Sequence, residues 1–181
     1  MVNTLRETLE KTNGIGLAAP QTGIFKNVFA INTSPLIKEN PDIEIVQKSY
    51  INPTVMEVNE NTSFYKECCL SIPGIFEDVE RPDKIWLRYY DENFIVKEEE
   101  LNGITAGIFQ HECDHLHGIL FIDLLSKIRK KLINNKLKRL KILILINRYS
   151  YFIKRIIVIK GLIVITNFVT IQFTRVKFLS Q

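Results

Sequence analysis

No Asp or Glu follows Asp123 in this 181-residue chain, and no His follows His117. Any site that needs an acid, a base or a metal ligand of those types must therefore be built upstream. Cysteine is scarce as well: three in all, two of them adjacent at Cys68 and Cys69. An odd number with that spacing excludes a disulfide framework, and fits a metal-ligand thiolate in a reducing cytoplasm. Long uncharged runs are missing too. The longest, Gly161 to Thr174, has 14 residues and includes polar positions, short of the ~20 that span a bilayer. A transmembrane segment is not expected, and the polar, mixed-charge N-terminus does not read as a secretory leader.

The chain does contain a marked division of charge. Residues 1–123 carry 10 Lys and Arg against all 20 Asp and Glu, whereas residues 124–181 carry 14 basic residues and no acid. The net +4 thus separates into −10 and +14. The length suits one domain with a sizeable core, and we place a catalytic domain over residues 1–125 and a basic helix with an apolar and basic tail over residues 126–181.

Two of the three histidines stand four apart, in His111-Glu112-Cys113-Asp114-His115. On a helix, residues four apart return to nearly the same face, so His111 and His115 can grip one divalent ion. Glu112 lies about 100° round from His111, at the edge of that face, where it can act as a base toward an activated water. An amphipathic helix with a polar face would show the same five residues. A catalytic site of this type needs a third ligand and an open position. Metalloproteases that take it from downstream find Phe121 at the expected histidine position here, and only Asp123 beyond. That reading is weak. Cys113 and His117, each about 200° round from a ligand histidine, point away from such an ion.

Upstream stand Glu67-Cys68-Cys69-Leu70-Ser71, followed by the turn signal Pro73-Gly74, and near the N-terminus Gly14-Ile15-Gly16-Leu17-Ala18-Ala19-Pro20-Gln21. Adjacent cysteines are often small buried apolar residues, and a stretch of small residues is often a tightly packed turn. A thiolate joined to two imidazoles would suit iron(II), zinc, cobalt or nickel.

In order and spacing, the three segments resemble the motifs of the bacterial peptide deformylases, from about Asn13 to about Leu125. The resemblance implies that Cys69, His111 and His115 ligate one divalent metal, iron(II) foremost, with zinc, nickel or cobalt as substitutes. It implies that Glu112 is the general acid/base, and that Gln21 and the backbone N–H of Leu70 stabilise the oxyanion. The backbone around Ile15 and Gly16 matches an edge on which the substrate peptide lies. The reaction implied is removal of the formyl group from N-terminal formyl-methionine of nascent chains, by a cytoplasmic monomer. Tyr65, Ile104 and Ile108, with Ile15, are apolar neighbours of the motifs and are our candidates for the methionine pocket.

The chain departs from the family in three places. Cys68 stands where the family has Gly; in an extended segment it should face away from Cys69. Phe76 occupies a place that is often basic, with Arg81 as a partial stand-in. Only about a dozen residues precede the first motif, so lower stability, or a catalytically impaired remnant, is the alternative expectation. Thr4 to Thr12 reads as the end of a helix, with Leu5 and Leu9 on one face.

Val28–Ile31, Ser49–Ile51, Ile85–Tyr89 and Phe94–Lys97 read as short strands, with turns at Asn52-Pro53 and Asp91-Glu92-Asn93. Gly103 to His117 reads as the helix carrying the pentad, stopped by Gly118. Strands followed by a central helix predict an α+β fold with small antiparallel sheets packed around that HExxH helix. Ser126 to Lys141 reads as a basic amphipathic helix with Ile128, Leu132, Leu137 and Leu140 among eight basic residues. The tail beyond it has three readings: binding to the ribosome surface, lying on an anionic membrane, or an extension with no selected role.

Overall fold

The computed structural model describes residues 1–142. The expected tail over Ile142 to Phe173 therefore lies, but for its first residue, outside the described residues. The chain divides into two compact units, Met1–Leu137 and Lys138–Gln181. Helix α1 (Val2–Thr12) opens the first unit, followed by β1 (Gly16–Ala18), β2 (Val28–Asn32) and β3 (Gln47–Val58). A hairpin of β4 (Thr62–Cys69) and β5 (Ile72–Pro82) comes next, then β6 (Lys84–Tyr90), β7 (Val96–Asn102) and helix α2 (Gly103–Leu116). A final helix, α3, begins at residue 127 and runs to residue 142, the last described.

The strands form an antiparallel five-stranded sheet in the order β1-β2-β3-β6-β7 and a separate two-stranded sheet, β4-β5. The fold is α+β, with α2 packed against strands of both sheets. Period-2 burial explains the pairing: Ile85, Leu87 and Tyr89 of β6 face inward, and Lys84, Trp86, Arg88 and Tyr90 face out. Phe109 of α2 meets the large sheet edge-on, with ring centroids 5.0 Å from both Phe29 and Tyr50. Such pairs contribute about 0.5–1.5 kcal/mol each beyond their buried area. Leu5 and Leu9 bury one face of α1 against β1 and β2. After α2, Gly118 takes a left-handed φ of 74° and ends the helix.

Several local expectations are corrected. Asn52-Pro53 is no turn: β3 continues through it with a register shift, and Asn52 absorbs the irregularity at φ 48°. Pro73-Gly74 lies inside β5, and the hairpin turns at Leu70 and Ser71 instead. Phe94 belongs to the 91–95 turn at φ 59°, so its strand starts at Val96. On α3, Ile133 is the buried residue, whereas Ile128 and Leu132 are exposed and Leu137 and Leu140 half-buried. Among the described residues no helix is long and apolar enough to cross a membrane.

Candidate active site

Cys69 ends β4, and strand alternation decides which neighbours share its side. Glu67 and Cys69 point inward, while Lys66 and Cys68 point out. The inward thiol meets α2, where His111 and His115 lie one turn apart. The Cys69 sulfur and one ring nitrogen from each histidine lie within 4.8 Å of one another, and Cys69 Sγ is 3.2 Å from His115 Nε2. His111 Nδ1 is 2.6 Å from Glu67 Oε2. That contact fixes the tautomer: Nδ1–H donates to the carboxylate and Nε2 is left toward the cluster. One thiolate and two imidazoles leave a fourth tetrahedral position open, so the donor set fits a catalytic divalent metal.

Without a metal the same groups are tied together as an ion-paired cluster, whose protons an incoming cation would displace. Burial would raise the Cys69 thiol, but hydrogen bonds with His111 and His115 outweigh it and pull the group down to about 5. Burial likewise opposes a charged His111; its bonds to Cys69 and Glu67 lift it to about 10. For Glu67, burial is outweighed by the hydrogen bonds from His111 and Arg81, which hold its carboxyl below the usual range.

Glu112 sits one residue from His111, and its carboxylate is almost enclosed. It is 4% exposed, and Oε2 has no hydrogen-bond partner. Burial pushes it up to about 7, against the pull of His111 and His115. The space for it is made by Gly16 on β1. A Cβ on Gly16 would lie 2.7 Å from Glu112 Cδ and 2.8 Å from Cγ. Gln21 lies beside Cys69. Its Oε1 accepts the Ala18 N–H at 2.8 Å, and its Nε2 donates to Ser71 Oγ at 3.1 Å and reaches Cys69 Sγ at 3.5 Å. Leu70 follows Cys69 in the hairpin turn, so its N–H is next in the chain to the sulfur.

The pocket candidates separate. Gly16 lies on β1, the edge strand of the large sheet among the described residues, and Ile15 directly before it packs on the core. Tyr65 lies over Gly107 of α2 and donates its hydroxyl to Asp83 at 3.1 Å. Ile104 is partly exposed at the start of α2, but Ile108 is buried in the core cluster. Away from the cluster, Cys113 packs on the core with its thiol pushed up to about 11 by burial and Asp114. His117 is exposed and bonds Cys113 O, and Asp123 accepts the Leu120 N–H. Phe76 is exposed, whereas Arg81 is buried and committed elsewhere.

Sequence reasoning passed over a supporting network. Arg81 binds Glu67 with two nitrogens, Nη2 at 3.1 Å, and Asp114 with Nη1 at 2.9 Å. Glu67 shares its strand face with Cys69, two residues on, which was the available signal. Arg81 gave none, because its contact depends on how the hairpin pairs.

Residues 1–131 match the family model described as polypeptide deformylase. The chain is 44% identical over 131 residues to a peptide deformylase of Cytophaga hutchinsonii, covering 72% of this chain and 70% of that one. It is 41% identical over 135 residues to that of Fusobacterium nucleatum, covering 75% and 72%. Among solved structures, a peptide deformylase from Plasmodium falciparum superposes with a TM-score of 0.69 at 35% identity, covering 83% and 82%. One from Ehrlichia chaffeensis gives 0.69 at 32%, covering 80% and 83%.

Proposed function

The chain belongs to the polypeptide deformylase family, and from that premise we propose how its own residues carry out the reaction. It is a metal-dependent hydrolase that removes the formyl group from the N-terminal formyl-methionine of newly made proteins. We assign the metal to Cys69, His111 and His115, with iron(II) as the natural occupant and zinc, nickel or cobalt as substitutes suited to the same donors. When bound, the metal supplies Lewis-acid polarisation and makes a water more acidic.

Glu112 takes the proton of the attacking water at its partnerless carboxylate oxygen and delivers it to the leaving amine. Its burial suits both halves of that task, because it raises the carboxyl's hold on a proton above that of an ordinary glutamate. Gln21 Nε2 and the Leu70 N–H donate to the formyl oxygen as negative charge develops there. The amide of Gln21 is held by Ala18 at its oxygen and by Ser71 at its nitrogen, and the N–H that reaches Cys69 Sγ is the one that turns to the formyl oxygen. The edge strand β1, at Ile15 and Gly16, receives the substrate backbone as an added strand. Tyr65, Ile104 and Ile108, with Ile15, remain the candidates for the methionine side. A cytoplasmic monomer acting on nascent chains fits the free thiols, and the basic α3 is suited to the ribosome surface.

The observation that carries this reading is the convergence of three ligand atoms within 4.8 Å beside a buried, partnerless Glu112 carboxylate. The test is formate release from a formyl-Met peptide by iron(II)-loaded protein prepared without oxygen. Turnover that is lost on chelation, and lost again in Glu112→Ala with its metal retained, is expected. A Glu112→Ala enzyme that turns over like the parent would remove Glu112 from the mechanism.

A further inference from the structure

Glu67 stands directly opposite Glu77 in the β4-β5 pair. Directly opposed residues share a face, with Cβ atoms about 4.5–5.5 Å apart. Both face inward, at 8% and 7% exposure, so the hairpin buries two directly opposed acidic residues. Like charges in that arrangement repel, and a buried charge needs its own partner. Arg81 is the partner of Glu67. Glu77 is held from outside the hairpin, by Arg129 of α3, with Nε at 2.7 Å and Nη2 also in contact. Glu67 in turn accepts His111 Nδ1–H.

We propose that Arg129 is a positioning residue for the metal centre. By neutralising Glu77, it removes the repulsion that would push Glu67 off His111. The inference rests on His111 being a metal ligand, as assigned above. Arg129 acts through two side chains and touches no ligand itself. Its side chain is 52% exposed, so its tie to the hairpin is ionic rather than packed. Helix α3 has separate anchors in the buried Ile133 and in Lys130 Nζ, which donates to Asp123 O at 2.7 Å.

The experiment uses the full chain and zinc alone, with affinity measured by competition against a chromophoric chelator. Arg129→Gln should weaken zinc binding about tenfold or more, the lower end of what loss of a ligand's supporting partner costs. Glu77→Gln added to Arg129→Gln should restore affinity to within about threefold of the parent, since the repelling charge is then gone. Arg129→Gln within about threefold of the parent, or a double variant as weak as the single, overturns the proposal. Should Arg129→Gln fail to fold, Glu77→Gln decides: affinity at or above the parent is expected, and about a tenfold loss overturns it. His111→Asn serves as the control for the assignment beneath. If it binds zinc as tightly as the parent, the ligand assignment has failed, whatever Arg129 does.

Discussion

Gly16→Ala tests whether the general base is held by a close approach of β1 to α2. The added Cβ would overlap Glu112 Oε1, its nearest neighbour, and stand 2.7 Å from Cδ; ordinary contact begins at 3.4 Å, so the two must separate by at least about 0.7 Å. Glu112 cannot give way cheaply, because it is 4% exposed on a helix packed against strands of both sheets. Nor can β1 easily retreat, since Gly16 is paired with Ile31. Overpacking of this kind costs about 1–3 kcal/mol of stability. A displacement approaching 1 Å at a catalytic group costs up to about a hundredfold in rate. Formate release should therefore show kcat lower by about ten- to a hundredfold with metal content unchanged. The split between constants separates two roles for this glycine. Displacement of Glu112 lowers kcat, whereas loss of a backbone edge for the peptide raises KM. A Gly16→Ala enzyme with parental kcat would refute the argument, and a rise confined to KM would transfer Gly16 to substrate binding.

Glu67→Gln removes the charge that Arg81 and His111 share. Breaking a buried pair of this kind costs about 3–5 kcal/mol, read by denaturation of the metal-free chain. Zinc affinity should fall about ten- to a hundredfold, and no change in either quantity would remove Glu67 as a support. The pocket is probed with Ile104→Asp, which should fold and lower the preference for formyl-Met over formyl-Ala peptides; an unchanged ratio would drop Ile104. Ile108→Asp, by contrast, puts a charge into the core cluster and should lower the melting temperature steeply; a stable variant would contradict the burial.

The parts of the site that were legible in the sequence are those set by local geometry. His111, Glu112 and His115 need only a helix for their spacing to have meaning, and α2 over Gly103–Leu116 supplies it. Cys68 and Cys69 need only an extended strand to be separated into an outward and an inward thiol. What stayed hidden is the β4-β5 hairpin, and the cause is physical. Strands are found by apolar residues at every second position, but here the inward positions include Glu67, Glu77 and Arg81. Charged residues on the buried face erase the period that would have announced it. The turn misled as well, because Leu70-Ser71 carries a single weak turn residue, Ser71, whereas Pro73-Gly74 carries two strong ones and lies within β5.

That failure is informative about function. Burying ionisable groups opposes the rule that stabilises a core, and a fold tolerates it where the groups do other work. Here Glu67 orients His111, Arg81 satisfies Glu67 and also reaches Asp114, and Glu77 is the remaining charge that must be matched. Its match, Arg129, is one of eight basic residues in a stretch that reads in sequence only as a basic amphipathic helix. Only the pairing of Glu77 against Glu67 distinguishes it from its neighbours. The positions where sequence reasoning fails are therefore the buried charges around His111, and on the proposal above the first turns of α3 join the hairpin in holding them.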